Sequence, residues 1–277
     1  MTRDVQKCVA ARRDLVALAR TICPKCAREC IAAEIENGSN GRIVVRGFDP
    51  MTAVPPDYDS DPERRQSWTA PQDVHEIVAP ELRGPILDIG CGEGRLAKRL
   101  AGGVAWVGVD SSPAQVAAIL YRPVVLADMQ ALPFRDGAFS EVTHLWCLYH
   151  LSDPVAAIAE AERVLRAGGR YYASTAAREN DPELVPEGYP NSSFDAEDAV
   201  AIVASVFDQP EPEGWDDKFF PLDTRAEVRA YCRHNYIPAE RAEGADLPLW
   251  LTKRGVLVRA TKSGRPPGAT RRKTGRT

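Results

Sequence analysis

Between Pro85 and Thr175 the chain alternates short apolar runs with polar turns and stretches of helical spacing. Ile86, Leu87 and Ile89 form a partly β-branched run that reads as a buried strand. Gly90, Gly92 and Gly94 interrupt it, and Arg95–Leu100 resumes with helical spacing. Val104–Val109 reads as a second strand, and Ser111-Ser112-Pro113 opens a helix with the proline near its first turn. Val124–Ala127 and Val142–Leu148 are the third and fourth strands. Pro154–Leu165 is a helix broken by Arg166-Ala167-Gly168-Gly169, and Arg170–Thr175 is the fifth strand. Strands alternating with helices in this way predict an α/β fold around a parallel sheet.

The pattern loosens on both sides. Asp4–Arg20 has helical spacing, and Arg42-Ile43-Val44-Val45-Arg46, after the Asn37–Gly41 turn, reads as the second arm of a hairpin with 31–36. Asp49–Trp68 is rich in Pro and Asp, a linker or irregular lid segment. After the fifth strand come a Pro-containing insertion (Glu179–Asn191) and helical spacing over Ser193–Phe207. Asp216–Leu222 reads as a sixth strand, and Asp223–Glu227 starts a capped helix running to about His234. Gly255–Thr261 reads as the last strand. The expected organisation is an N-terminal appendage (1–69), a central domain (70–262) with a lid insertion at about 178–250, and a basic tail (263–277).

A strand, a glycine-rich turn and a helix in that order make a nucleotide-type site. Two ligand classes compete for it. A dinucleotide fold wants G-x-G-x-x-G/A over a pyrophosphate, whereas Arg95 holds the third glycine position here. Asp88 precedes the turn, and a carboxylate there repels a pyrophosphate but suits a ligand bearing an amino group. Asp110 ends the second strand, 18 residues after Gly92, where nucleotide-binding α/β folds place the acid that receives ribose hydroxyls. Asp128 and Met129 end the third strand. One such acid is an ordinary cap residue; three at successive strand ends point to a site.

The run Pro85–Leu100 resembles motif I of the class I S-adenosylmethionine-dependent methyltransferases. The runs ADMQALPFRDGAFS and ERVLRAGGRYYAST resemble the methyltransferase type 11 branch of that family, over roughly Pro85–Thr175. Ser140, in place of a common aspartate, and Arg166-Ala167-Gly168, in place of Lys-Pro-Gly, depart from its pattern at positions away from the cofactor. The resemblance implies a Rossmann-like, seven-stranded, mostly parallel sheet with helices on both faces and an antiparallel last strand. It implies S-adenosyl-L-methionine as cofactor, held by Asp88, Gly90, Cys91, Gly92, Gly94, Asp110, Ser111, Asp128, Met129 and Cys147. Asp128 would meet the adenine amino group and Met129 would pack on the ring. His150 and Tyr149, just past strand four, are the catalytic candidates, with His150 as a base because its ordinary pKa permits proton removal near neutrality. His144, mid-strand, is expected to be packed. The insertion falls where the family builds its substrate lid, making Trp215, Phe219, Tyr236 and Trp250 candidate lid aromatics.

Composition narrows the partners. The formal net charge of −4 argues against a large nucleic-acid footprint. No apolar run approaches membrane-spanning length, and charged residues interrupt the start of the chain as a signal peptide, so the expected location is cytoplasmic. The tail (Lys262, Arg265, Arg271, Arg272, Lys273, Arg276) reads as a solvated end. Cys23-Pro24-Lys25-Cys26 looks like a zinc knuckle that Cys8 and Cys30 would complete, although no second C-x-x-C follows. The segment after strand four, Trp146-Cys147-Leu148-Tyr149-His150, lacks the Asn/Asp-Pro-Pro-Tyr/Phe run of the enzymes that methylate base amines. The first expectation is therefore a small-molecule or lipid-like acceptor. An rRNA or tRNA methyltransferase docking RNA through the cysteine-bearing N-terminus is the alternative. A non-catalytic cofactor-binding regulator and an NAD-linked oxidoreductase come after it.

Overall fold

The computed structural model describes residues 31–32, 42–45, 73–121, 123–185, 192–235 and 237–264. Strand β3 (Ile86–Ile89) lies mid-sheet between β4 (Trp106–Asp110) and β6 (Phe139–Leu145), parallel to both. The strands β5 (Val124–Leu126) and β7 (Leu165–Ala176) continue the parallel sheet outward on either side. Beyond β7, β9 (Leu249–Thr261) runs antiparallel, and β8 (Glu211–Leu222) closes that edge antiparallel to β9. At the other edge, β2 (Arg42–Val45) lies parallel to β5 and pairs antiparallel with β1 (Ile31–Ala32).

Among the described residues the sheet thus has nine strands, in the order β1-β2-β5-β4-β3-β6-β7-β9-β8. The two beyond the expected seven come from the hairpin assigned to the N-terminal appendage. Strand β5 would otherwise be an uncovered edge of unpaired backbone groups, and Arg42–Val45 supplies their partners.

Helices cover both faces. The α4 (Pro154–Val164) and α5 (Ala196–Ala204) helices bury Ala157, Ile158, Ala161, Ala199 and Val203 against Leu87, Val107, Val109 and Val142. On the other face α1 (Val74–Val78), α2 (Arg95–Arg99) and α3 (Pro113–Ala118) bury Val74, Val78, Leu96 and Val116 with Ile86, Trp106 and Val124. Their starts follow the expected chemistry. Ser112 caps α3 ahead of Pro113, Asp153 caps α4 ahead of Pro154, and Thr224 with Glu227 forms a reciprocal capping box on α6 (Arg225–His234). Helix α6 and the short α7 (Ala239–Gly244) make a separate core, in which Leu184, Val228, Tyr231, Ile237 and Ala242 pack with Leu249 and Leu251 of β9.

The fourth strand departs from expectation: β6 ends at Leu145, not Leu148. Trp146 takes a φ of 61°, a left-handed conformation that no strand can continue through. The chain then makes a 3-10 turn over Leu148–His150, so Cys147 lies in the turn region rather than inside the strand. No described helix is long and apolar enough to cross a membrane.

Candidate cofactor and acceptor site

The carboxyl ends of β3, β4, β5 and β6 come together, because β3 pairs Asp88 with Gly108 and Ile89 with His144, while β4 pairs Asp110 with Leu126. The glycine turn after β3 is anchored from β4: the N–H groups of Gly90 and Cys91 both donate to the Val109 carbonyl, at 2.8 and 3.0 Å. Gly90 has a φ of 68°, and a Cβ added there would stand 2.5 Å from the Cys147 Cβ. Its missing side chain is therefore needed by the protein itself, which packs the turn onto the end of β6. Gly92 differs. A Cβ there would meet nothing within 4 Å, so the turn is open at this point. Gly94, by contrast, is closed over by Ile119 and Tyr121.

Asp110 links turn to strand. One carboxylate oxygen accepts from the Gly92 N–H (2.8 Å) and the other from the Ser112 N–H (2.9 Å), which holds Ser111 between them. Asp128 closes its own turn by accepting from the Gln130 N–H at 2.8 Å. Met129 and Tyr149 pack against the same core, and the Gln130 side chain donates to the Asp153 carbonyl. These contacts bring the loop after β5 to the turn that carries Tyr149 and His150. The two rings of that turn lie 4.5 Å apart, and burial lowers the His150 pKa below its usual value. His150 is therefore held toward the neutral imidazole, the form that accepts a proton.

Asp88 is the least expected member. It is 3 % exposed, and both oxygens are engaged inside the fold: Thr143 Oγ1 donates to one (2.8 Å) and Trp106 Nε1 to the other (3.3 Å). Burial pushes its pKa up to about 6, with the two hydrogen bonds and the charge of His75 pulling the other way. His75 belongs to a second buried group that the sequence reading did not single out. Its N–H and Nδ1 both meet one Asp73 oxygen (3.0 and 2.6 Å), and Arg99 meets the other at 2.6 Å. Burial raises the Asp73 pKa, but His75 and Arg99 together bring it down to about 2. Thr143 pairs directly with Asp88, and Trp106 lies two residues from its other partner, Gly108, so the sheet register puts both on the face of Asp88.

The buried thiols of Cys91 and Cys147 are pushed well above their ordinary pKa by burial and by the nearby carboxylates, and the Cys147 thiol donates to the Ile89 carbonyl. Both therefore pack the site as neutral thiols. His144 is fully buried against the Tyr171 hydroxyl at 2.9 Å, and burial pushes its pKa down to about 3, as expected for a packed residue. Of the candidate lid aromatics, Trp215 meets Trp146, while Trp250 is exposed. Tyr236 lies outside the described residues, as do Cys8, Cys23, Cys26, Cys30 and the tail from 265 onward. Among the described residues no group of three or more His, Cys, Asp or Glu side chains is placed to hold a metal.

Residues 87–173 match the family model described as "Methyltransferase domain", of the type 11 group. The chain is 31% identical over 157 residues to a ubiquinone biosynthesis O-methyltransferase of Thiobacillus denitrificans, covering 53% of this chain and 64% of the relative. It is 40% identical over 88 residues to a demethylmenaquinone methyltransferase of Mycolicibacterium vanbaalenii, covering 31% and 39%. The chain thus spans less than two thirds of the length of these relatives. Among solved structures, the YcgJ protein of Bacillus subtilis shares the fold, with a TM-score of 0.52 and 19% identity over 69% of this chain and 97% of that one. The dinucleotide alternative falls with these matches: over residues 87–173 the chain matches the methyltransferase type 11 model, in line with its resemblance to the class I S-adenosylmethionine-dependent methyltransferases.

Proposed function

We propose that this chain transfers a methyl group from S-adenosylmethionine to a small-molecule or lipid-like acceptor, and that the strand ends described above hold the cofactor. The observation that carries the proposal is the pairing of Asp110 with the Gly92 N–H beside the open side of the turn. It leaves room where a ligand must approach the backbone, next to an acid suited to ribose hydroxyls. Asp88 supplies a buried negative charge whose hydrogen-bond donors, Thr143 and Trp106, are neutral. An arriving ammonium group would balance it. Asp128 would take the adenine amino group and Met129 the ring face. The cofactor would bring an activated methyl group on a sulfonium.

What the protein's own residues contribute is placement and one proton acceptor. Tyr149 and His150 stand at the edge of the strand-end cleft, and His150, held toward the neutral imidazole, takes the proton of an acceptor hydroxyl or amine as the methyl group arrives. The named relatives act in quinone biosynthesis, which supports a ring-bearing, partly apolar acceptor. The insertion at about 178–250, with its separate core around α6 and α7, is the lid in this reading.

The experiment is to incubate the protein with methyl-labelled cofactor and a cell extract, and then identify what becomes labelled. Label on a small organic molecule supports the proposal. Label on RNA alone overturns the acceptor class. No label, with S-adenosylhomocysteine still bound, makes the protein a cofactor-binding regulator.

A further inference from the structure

A buried carboxylate–imidazole pair lies beside the glycine turn. Asp73 caps α1, and its Oδ1 takes both the backbone N–H of His75 (3.0 Å) and the ring Nδ1 (2.6 Å). Its Oδ2 meets Arg99 of α2 at 2.6 Å. His75 is only 8 % exposed, and its other ring nitrogen, Nε2, meets no hydrogen-bond partner among the described residues. Buried ring nitrogens ordinarily find partners. An imidazole fixed at one nitrogen by a carboxylate and empty at the other is built to meet a ligand.

The fold sets this pair against the cofactor turn. Val74 and Val78 of α1 share one core with Cys91 of the glycine turn and Leu96 of the helix that follows it. Trp106, whose indole N–H donates to Asp88, belongs to the same core. The charge of His75 is felt at Asp88, where it opposes the effect of burial. The neighbouring charges are committed elsewhere. Arg99 is held by Asp73, Glu76 and the Arg95 carbonyl, and its buried Nε has no acceptor. Glu76 and Lys98 are exposed.

The amino-acid end of S-adenosylmethionine carries an ammonium and a carboxylate on one carbon. With the ammonium at Asp88, that carboxylate comes close to a like charge and needs a cation facing it. We propose that His75, oriented by Asp73, holds the carboxylate of the methyl donor, donating from Nε2 while Nδ1 donates to Asp73. The ring then carries both protons, and its charge opposes that of the ligand. The inference rests on the methyl-transfer reading and gives the donor's second charged group a partner outside the strand ends. Asp73 is a positioning residue, and Arg99 locks its second oxygen.

The test titrates the full chain with S-adenosylhomocysteine, its decarboxylated form, its deaminated form and 5′-methylthioadenosine, which lacks the amino-acid end. The wild type should bind S-adenosylhomocysteine roughly ten- to a hundredfold more tightly than the decarboxylated form. His75→Asn, whose amide can stand in for Nδ1 but offers nothing at Nε2, should cut that ratio to about threefold or less. Its affinity for 5′-methylthioadenosine should stay within about twofold of the wild type, and its loss on deamination of the probe should be unchanged. His75→Gln, which brings a neutral donor toward the place of Nε2, should restore part of the ratio. A wild-type ratio near one, or a ratio that survives His75→Asn, overturns the proposal. So does a His75→Asn effect that falls on the deaminated probe instead, or equally on all four. Failure of the wild type to bind S-adenosylhomocysteine at all overturns the methyl-transfer reading instead, and appears in the first titration.

Discussion

Two buried aspartates have opposite partners. Asp88 before the glycine turn receives hydrogen bonds from two neutral groups, Thr143 and Trp106. Asp181, on the segment after β7 that bonds to β9, is 2 % exposed and has one oxygen crowded by Lys253 (2.7 Å), Tyr231 (2.6 Å) and Asn180 (2.8 Å). Lys253 also touches the Tyr231 hydroxyl and lies over its ring. Burial raises the pKa of both acids, but at Asp181 the lysine supplies the compensating charge and at Asp88 no hydrogen-bond donor does. A buried carboxylate paired with a cation ties elements together; one held by neutral donors retains a charge for an incoming cation.

The largest effect should come from breaking the Asp181–Lys253 pair. Lys253→Met leaves Asp181 charged and buried without compensation and should cost about 3–5 kcal/mol of stability in denaturant unfolding. Binding of S-adenosylhomocysteine should change little once the protein is folded. A variant that keeps its stability would show that this buried pair is not the tie described.

At Asp88 the effect depends on pH. Its pKa stands above the ordinary 3.8, at about 6, so the folded state holds the proton more tightly than the unfolded chain. The protonated carboxyl therefore favours folding below pH 4, and this contribution, about 3 kcal/mol, is lost as pH rises through 6. Cofactor binding should run the opposite way, strengthening as the carboxylate ionises. Asp88→Asn should flatten both profiles and weaken S-adenosylhomocysteine binding by roughly ten- to a hundredfold at pH 7.5. Affinity independent of pH between 5 and 8 in the wild type would contradict the role given to this charge.

The glycines separate packing from binding. Gly90→Ala drives a methyl into Cys147 at a left-handed backbone and should destabilise the fold by about 1–3 kcal/mol. Gly92→Ala meets no neighbour and should cost only the backbone strain, about 1 kcal/mol, while weakening cofactor binding more than it weakens the fold. Equal losses of stability in the two variants would erase the distinction between the closed and open points of the turn.

What could be read in the sequence follows the same division. The strands from Ile86 to Thr175, the caps at Ser112, Thr224 and Glu227, and the acids at the strand ends are local signals, carried by residues within a few positions of one another. The partners of Asp88 are not local. Thr143 lies 55 residues away and Trp106 lies 18 away, and only the sheet register brings them together. The expected end of β6 falls at Leu148 rather than Leu145 because Leu145–Leu148 continues the strand as an apolar run, and nothing in composition announces that Trp146 turns left-handed. Helix α7, six residues with a single buried alanine, has too little periodicity to stand out. The docking of β2 on β5 depends on an edge that exists only after the sheet has formed.

The central claim is that the strand ends hold a methyl donor and that Asp110 fixes the turn around it. Calorimetric titration of the wild type and Asp110→Ala with S-adenosylhomocysteine, and of the wild type with NAD, tests it most directly. The account predicts saturable S-adenosylhomocysteine binding, weakened by about 1.5–3 kcal/mol in Asp110→Ala, and no NAD binding. Tight NAD binding without S-adenosylhomocysteine binding, or an Asp110→Ala variant with unchanged affinity, would contradict it.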